Sequence, residues 1–324
     1  MSQPSEQGHG ALASFIEEFS SFLLKVDFNK SHVRTGLPRI FLCGGARSAL
    51  DAPPTNLREF ILRKLLKDNQ SKIVLAEDIF NAQIEQGIYE DLLSFEKSIC
   101  SFCSSIFLIL ESPGSIAELG SFCVIPETKE KLTVLIQQAH NEQNSYIKNG
   151  PLKHVHADRL LSYQWDSYSN TDPDLLSRSA EQIWGPLQDD INSILLDKAE
   201  NTKFNQENQL HLCILIGSLS AISFPLTKKD IYNILSKAFP KLKTRELDLT
   251  LWLGTHFKIL KKIDVRNTYY TNAVSKDFFK YEAISNQHLD FDRMAALSSQ
   301  FIKSQQITDS KRYAAYIRAK EGTQ

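Results

Sequence analysis

No apolar run in the sequence is long enough to cross a bilayer, so a membrane span is not expected. The opening Met1-Ser-Gln-Pro-Ser-Glu-Gln-Gly-His-Gly10 lacks the basic and apolar regions of a signal peptide and reads as a flexible lead-in. There is no excess of basic charge either. Thirty-seven Lys and Arg face 38 Asp and Glu, a formal net charge of -1, so a nucleic-acid partner would need a local patch. Cysteine is scarce and odd in number. Cys43, Cys100, Cys103, Cys123 and Cys213 sit among apolar neighbours, as reduced core thiols of a cytoplasmic protein would. Cys100-Ser-Phe-Cys103 spells CxxC late in an amphipathic stretch, with no second CxxC and no HExxH, so neither a redox motif nor a metal site is expected. GxGxxG, a Walker A loop, internal repeats and low-complexity tracts are all missing.

What is present is an alternation of strand and helix patterns. An amphipathic docking helix, carrying Leu12, Phe15, Ile16, Phe19, Phe22, Leu23 and Val26, precedes an apolar strand at Pro38–Cys43 that runs into Gly44-Gly45. A helix over Asn56–Lys67 and a strand at Lys72–Ala76 follow, then helical patterns at Ile79–Gln86 and Tyr89–Cys103. The wholly apolar Ile106–Leu110 reads as a strand covered on both faces, and Pro113-Gly114 turns it into a helix. A buried strand at Lys131–Ile136 and, within a polar and irregular stretch, a further strand at Leu160–Trp165 continue the series to a long helix from Pro173 to Ala199. This order predicts an α/β fold with a doubly wound parallel sheet. His154 and His156 flank Val155 and read as solvent-facing, because no third metal ligand is in view.

After a polar stretch at Asn201–Asn208, taken as a linker, the pattern changes. Helices are expected at Leu210–Ile222, Lys228–Phe239 with Thr227 as its cap, and Arg245–Phe257 capped by Thr244. Two short strands around a polar tip fill Lys258–Thr271. Three helices and a two-stranded wing form the winged helix-turn-helix pattern. Helices around Ala283–Ile302 and Ser310–Lys320 close the chain. The expected divisions are 1–30 for the lead-in and docking helix, 31–200 for the α/β domain, and 201–324 for the winged-helix domain with its C-terminal helices.

Two sets of residues carry chemistry. In the first half, backbone amides at Gly44 and Gly45 would approach a ligand closely, and Arg47 would meet an anion, although a plain tight turn explains the glycines equally well. Glu77, Asp78, Glu96, Glu111 and Glu118 feed or line the carboxyl end of the sheet, where ligands bind in open α/β folds. Cleavage at an anomeric carbon needs such carboxylates, because its transition state resembles an oxocarbenium ion. Glu118 also has a plainer reading, as the partner of Ser115 in a capping box. In the second half, Lys228, Lys229, Lys241, Lys243, Lys258, Lys261 and Lys262 form a basic face suited to nucleic acid or a nucleoprotein, although lysines on solvated helices are common.

Several of these stretches resemble a known family. Phe41-Leu-Cys-Gly-Gly45, Ala76-Glu-Asp-Ile-Phe80, Ser94-Phe-Glu96, Tyr146-Ile-Lys-Asn-Gly-Pro151 and above all Glu111-Ser-Pro-Gly-Ser-Ile-Ala-Glu-Leu-Gly-Ser-Phe122 are similar to the nucleoside deoxyribosyltransferase-like effectors of bacterial retrons. The resemblance covers nearly the full chain, winged-helix half included. It implies that Glu118 is the catalytic carboxylate, in place of the glutamate of the Gly-Thr-…-Glu-Leu-Gly motif that attacks C1′ in nucleoside deoxyribosyltransferases. It places Cys43, Gly44 and Gly45 at the ligand-facing end of the first strand and Glu77 and Asp78 where such enzymes contact substrate; Arg47, Glu96, Glu111 and Ser115, read from their positions alone, complete the expected substrate-binding set. The chain departs from that motif with Ser115 for threonine and with no matching aspartate, which puts base transfer between nucleosides in doubt.

The resemblance further implies an anti-phage toxin, held inactive by a reverse transcriptase and its multicopy single-stranded DNA–RNA product (msDNA), in a homo-oligomer or higher-order complex. The implied reaction is cleavage of NAD to nicotinamide and ADP-ribose, with NAD as substrate and no resident cofactor or metal. The competing readings are a DNA-binding regulator whose α/β domain senses a nucleotide, and a hydrolase or transferase of other nucleosides or nucleotides.

Overall fold

The computed structural model describes residues 5–35, 39–48, 52–69, 73–79, 91–195, 200–273 and 276–321. They form two compact units, Leu37–Ala199 and a second one built from Met1–Gly36 together with Glu200–Gln324. Helix α1 (Ser5–Leu23) and strand β1 (His32–Thr35) therefore fold with the C-terminal half of the chain.

The middle unit is α/β. Strands β2 (Ile40–Cys43), β3 (Ile73–Val74), β4 (Ser105–Ile109), β5 (Leu132–Gln137) and β6 (Leu160–Tyr163) form a parallel sheet in the order β3-β2-β4-β5-β6. All five residues of β4 are buried, which is why its sequence is apolar without alternation. Register runs from Ile40 opposite Ser105 to Cys43 opposite Leu108. Sequence order reverses between β2 and β4, which makes their carboxyl ends the topological switch point, the place where open α/β sheets bind ligands.

Helices α2 (Leu57–Asn69), α3 (Leu92–Ser101), α4 (Pro113–Phe122) and α8 (Leu175–Leu195) pack around the sheet, with short helical pieces α5 (Pro126–Lys129), α6 (Gln138–Glu142) and α7 (Tyr146–Asn149) between strands. Ile40, Leu42, Phe107, Ile109 and Leu135 share one core with Leu57, Ile61 and Leu65 of α2 and Leu176, Leu187 and Ile191 of α8. The alternate residue Phe41 faces the other way, against Phe122 of α4. Of the two helices expected at Ile79–Gln86 and Tyr89–Cys103, residues 80–90 lie outside the described residues, and the second is observed as α3, which begins at Leu92 under an Asp91 cap.

The other unit holds two antiparallel sheets. Strand β7 (Glu200–Lys203) pairs with β1, which in turn pairs with β11 (Phe279–Lys280). The stretch expected to be a linker thus opens as a sheet strand, because its alternating residues find partners far away in sequence. Helix α9 (Gln209–Ile222) is followed by β8 (Leu226–Thr227), α10 (Lys228–Ala238), α11 (Thr244–His256) and the hairpin β9 (Leu260–Val265) and β10 (Asn267–Asn272). Their sheet order is β8-β10-β9. Thr227 caps α10 in a capping box with Asp230, as expected, whereas Thr244 is the first helical residue of α11, preceded by Lys243 at the cap position.

Helix α12 (Phe291–Thr308) starts at an Asp290 cap, eight residues later than expected from Ala283, and α13 (Ser310–Glu321) ends the described chain. Phe15 of α1 stacks among Phe19, Phe224 and Phe301, which locks the N-terminal helix into this unit. Arg312 of α13 donates to Asp230 at 2.8 Å, with both side chains buried, and lies 5.6 Å from the rings of Phe224 and Tyr269. Among the described residues no helix is long and apolar enough to cross a membrane.

Candidate active site

The turn after β4 decides what Glu118 does. The cap of α4 is Ser112, whose Oγ accepts from the backbone N–H of Ser115 at 3.1 Å, while Ser115 Oγ accepts from that of Ser112 at 3.1 Å. This box closes without Glu118, which sits one turn further along α4. The expected alternative, a Ser115–Glu118 box, is therefore corrected: Pro113 and Gly114 are already helical, and the frame begins three residues earlier. Ser115 itself is buried in the cap.

Glu118 takes no part in the cap. Its Oε2 is buried and has no hydrogen-bond partner among the described residues. Burial pushes its carboxyl up to about 7; Arg58 opposes that rise and the charge of Glu77 adds to it. Glu96, on α3 and only 7% exposed, is likewise pushed up to about 7, first by burial and then by the charges of Glu118 and Glu77, against the pull of Arg58. The charge of Glu118 is thus felt at Glu96, and burial is the first cause of the rise at both.

The other acids of this end of the sheet are spoken for. Glu111 accepts backbone N–H bonds from Leu57 at 2.7 Å, Arg58 at 2.9 Å and Gly45 at 3.0 Å, so it caps α2 and ties that helix to the β2 turn. Glu77 takes a bidentate pair from Arg58 at 2.6 and 2.7 Å. Burial works against the Glu77 charge, but these bonds outweigh it and hold its carboxyl below the usual range. Asp78 accepts from Arg47 at 2.7 Å in an exposed pair.

Cys43 ends β2 as a neutral thiol, held well above its ordinary value by burial and then by the charge of Glu118. The two glycines after it have a packing reason. A Cβ on Gly44 would lie 2.9 Å from Cβ of Arg58, and one on Gly45 would lie 2.6 Å from Cγ of Asn56. Their bareness lets the start of α2 press onto the turn.

The structure thus brings Cys43, Glu77, Glu96 and Glu118 into one electrostatic neighbourhood. Gly44, Gly45, Glu111 and Ser115 build the turns that shape it, and Arg47 and Asp78 pair at the surface. The centre of the group is a residue the sequence reading missed, Arg58. Its buried guanidinium also donates to the carbonyls of Leu42 at 3.2 Å and Gly45 at 2.9 Å. A signal for it existed. Asn56-Leu-Arg-Glu59 has cap spacing, and Asn56 Oδ1 does accept from the N–H of Glu59 at 2.9 Å, which places Arg58 in the first turn facing the glycine loop.

Cys100 and Cys103 are buried thiols pushed upward by burial, and Lys131 Nζ donates to their carbonyls at 3.0 and 2.8 Å, closing the end of α3. His154 and His156 are exposed, and His156 meets Glu130 at 3.2 Å. Among the described residues no three His, Cys, Asp or Glu side chains could hold a metal ion. In the other unit, Lys228 pairs with Asp248 at 2.8 Å and Lys262 with Asp264 at 3.3 Å. Lys229, Lys241, Lys243, Lys258 and Lys261 form no ion pair with a described residue.

Comparison with known proteins decides the family. The family described as STM3845 retron effector protein matches residues 54–262, more than half of the chain. The chain belongs to this retron effector family. It is 24% identical over 298 residues to the candidate ribosyltransferase/DNA-binding protein of retron Ec73 from Escherichia coli, covering 87% of this chain and 90% of that one. It is 31% identical over 114 residues to the corresponding protein of retron Ec86 from Escherichia coli, covering 35% of this chain and 36% of that one. A solved chain of Drosophila ORC bound to AT-rich DNA and Cdc6 aligns over 93% of this retron effector and 96% of its own length at 14% identity. Its TM-score of 0.16 carries no argument.

Proposed function

We propose that the α/β unit of this retron effector cleaves an N-glycosidic bond, with NAD as the leading substrate and nicotinamide and ADP-ribose as products. The observation that carries the reading is Glu118, whose buried Oε2 lacks a hydrogen-bond partner among the described residues while Glu77 and Glu111 are saturated. An unpaired carboxylate in a desolvated crevice is suited to attack, or to stabilise, the electron-poor C1″ of a ribose. When the glycosidic C–N bond breaks, its electrons neutralise the nicotinamide ring, so the base leaves uncharged and needs no proton. Water then takes its place at C1″, and Glu96 accepts the proton that water releases. Arg58 keeps the neighbourhood from becoming a cluster of uncompensated negative charge.

The name ribosyltransferase carried by the Ec73 and Ec86 proteins supports glycosyl chemistry; in this reading the sheet is doubly wound and deoxyribosyltransferase-like, and the substrate lies beyond the β2–β4 switch point. The order α9, β8, α10, α11, β9, β10, with β8 paired to β10, supports a winged-helix reading of the other unit, and the DNA-binding part of the relatives' names agrees. In the full proposal the chain is the anti-phage toxin of a retron in the cytoplasm, restrained by the reverse transcriptase and its msDNA. Mass spectrometry of nucleotides from cells expressing the chain alone tests it. NAD loss with nicotinamide and ADP-ribose gain is expected, and an unchanged nucleotide pool would overturn it.

A further inference from the structure

The winged unit contains a cavity of about 900 Å³ that the catalytic proposal does not use. It lies between the ends of α9 and α11, the base of the β9–β10 hairpin, and helices α12 and α13. Lys258, Lys261, Lys262 and Lys320 line it, with Asn272 and the ring of Tyr316, and none of its lining residues is acidic. Lys258 and Lys261 have no ion-pair partner among the described residues, Lys262 pairs with the exposed Asp264 at 3.3 Å, and Lys320 lies 4.9 Å from the centre of the Tyr316 ring. The contrast with α11 is direct. There Asp248 neutralises Lys228, and Glu246 adds a second negative charge to the helix that a winged-helix protein would lay against a duplex.

We propose that this cavity holds a short stretch of single-stranded nucleic acid, its phosphodiesters against Lys258, Lys261, Lys262 and Lys320. A concavity of this volume is of small-ligand size. It admits a flexible strand and excludes a duplex, whose phosphates lie on the outside of a rigid rod. Point-charge ammonium groups beside hydroxyl and amide side chains bind backbone without reading bases, which is the mode of sequence-tolerant single-strand sites. The proposal rests on the reading of this unit as nucleic-acid-binding, but moves the contact from the helix surface to the cavity.

The test is anisotropy of labelled oligothymidylate, and of a duplex of equal length, with the full chain across a salt series. Four ammonium contacts predict a slope of log K against log salt of about -2.8 for single strands, and removing two predicts about -1.4. The variant is Lys258→Asn with Lys261→Ala. Asparagine tolerates the positive φ of 55° at Lys258, so the fold is retained, which an unchanged thermal midpoint checks. Preference for the single strand and a slope halved by this variant are expected.

If Lys241→Ala with Lys243→Ala lowers the slope and the cavity variant does not, the unit binds nucleic acid elsewhere and this inference alone fails. Absence of any nucleic-acid binding fails both readings. Tighter binding of the duplex, or saturation by AMP where oligothymidylate does not bind, would also overturn the single-strand assignment.

Discussion

Replacing Glu118 by glutamine should make the α/β unit more stable at alkaline pH while abolishing its proposed chemistry. The carboxyl stands at about 7 against an ordinary 4.5, chiefly through burial. A carboxyl raised on folding binds its proton more tightly in the folded state. Its contribution is therefore favourable at low pH and is lost as pH rises from about 4.5 through about 7. The full interval corresponds to roughly 3 kcal/mol of destabilisation at pH 8 and to less than about 1 kcal/mol at pH 5. Part of the side chain still meets solvent, which brings the measurable gain at pH 8 to ~1–2 kcal/mol. Loss of the Glu118 charge also relieves Glu96, which that charge pushes upward.

The assay is urea unfolding followed by emission of Trp165 and Trp184, with Trp252→Phe in both proteins so that the signal reports this unit. Glu118→Gln should raise the midpoint at pH 8 and match the parent at pH 5. A variant that is less stable at pH 8, or equally shifted at both pH values, would refute the reasoning. A gain in stability from removing a candidate catalytic group is the mark of a site built at the expense of the fold.

Nicotinamide release in a single turnover, the step before water enters, should rise about tenfold per pH unit below about 7 and level off above it, because ionised Glu118 is its working form; a profile flat from pH 5 to 8 would contradict this. Arg58→Met strips Glu77 of its bidentate partner and leaves the Leu42 and Gly45 carbonyls short of a donor, so urea unfolding should show a loss of ~2–3 kcal/mol. The same change removes the charge that opposes the rise of Glu118, so any activity left should have its acid limb above about 7. In the other unit, Arg312→Met leaves the buried Asp230 charge with the Thr227 N–H but no cation, and should cost about 3–5 kcal/mol, much of it recovered when Asp230→Asn is added.

The apolar pattern made the parallel sheet readable because strands covered on both faces carry no polar residue to obscure them, as at Ile106–Leu110. Strand β7 was not readable. Glu200-Asn-Thr-Lys203 is a strand because β1 lies beside it, and a four-residue polar segment cannot announce a partner more than 160 residues away. The delayed start of α12 reflects Asp290, a cap hidden inside a longer helical pattern. At the site, the five acids were legible as a set by type and position, and the family resemblance singled out Glu118, but the division of the acids into free and saturated ones depends on Arg58 and on the backbone donors of α2. Hydrogen-bond satisfaction is a property of the folded chain. Spacing showed where carboxylates gather and not which of them is left unpaired.

The most direct test of the central claim is nicotinamide release from NAD by the purified chain and by Glu118→Gln, with Glu111→Gln as a variant of a carboxylate committed to capping. The account predicts release by the parent and loss of about a thousandfold or more in Glu118→Gln even when that variant is the more stable protein. Equal release by the parent and Glu118→Gln would contradict it.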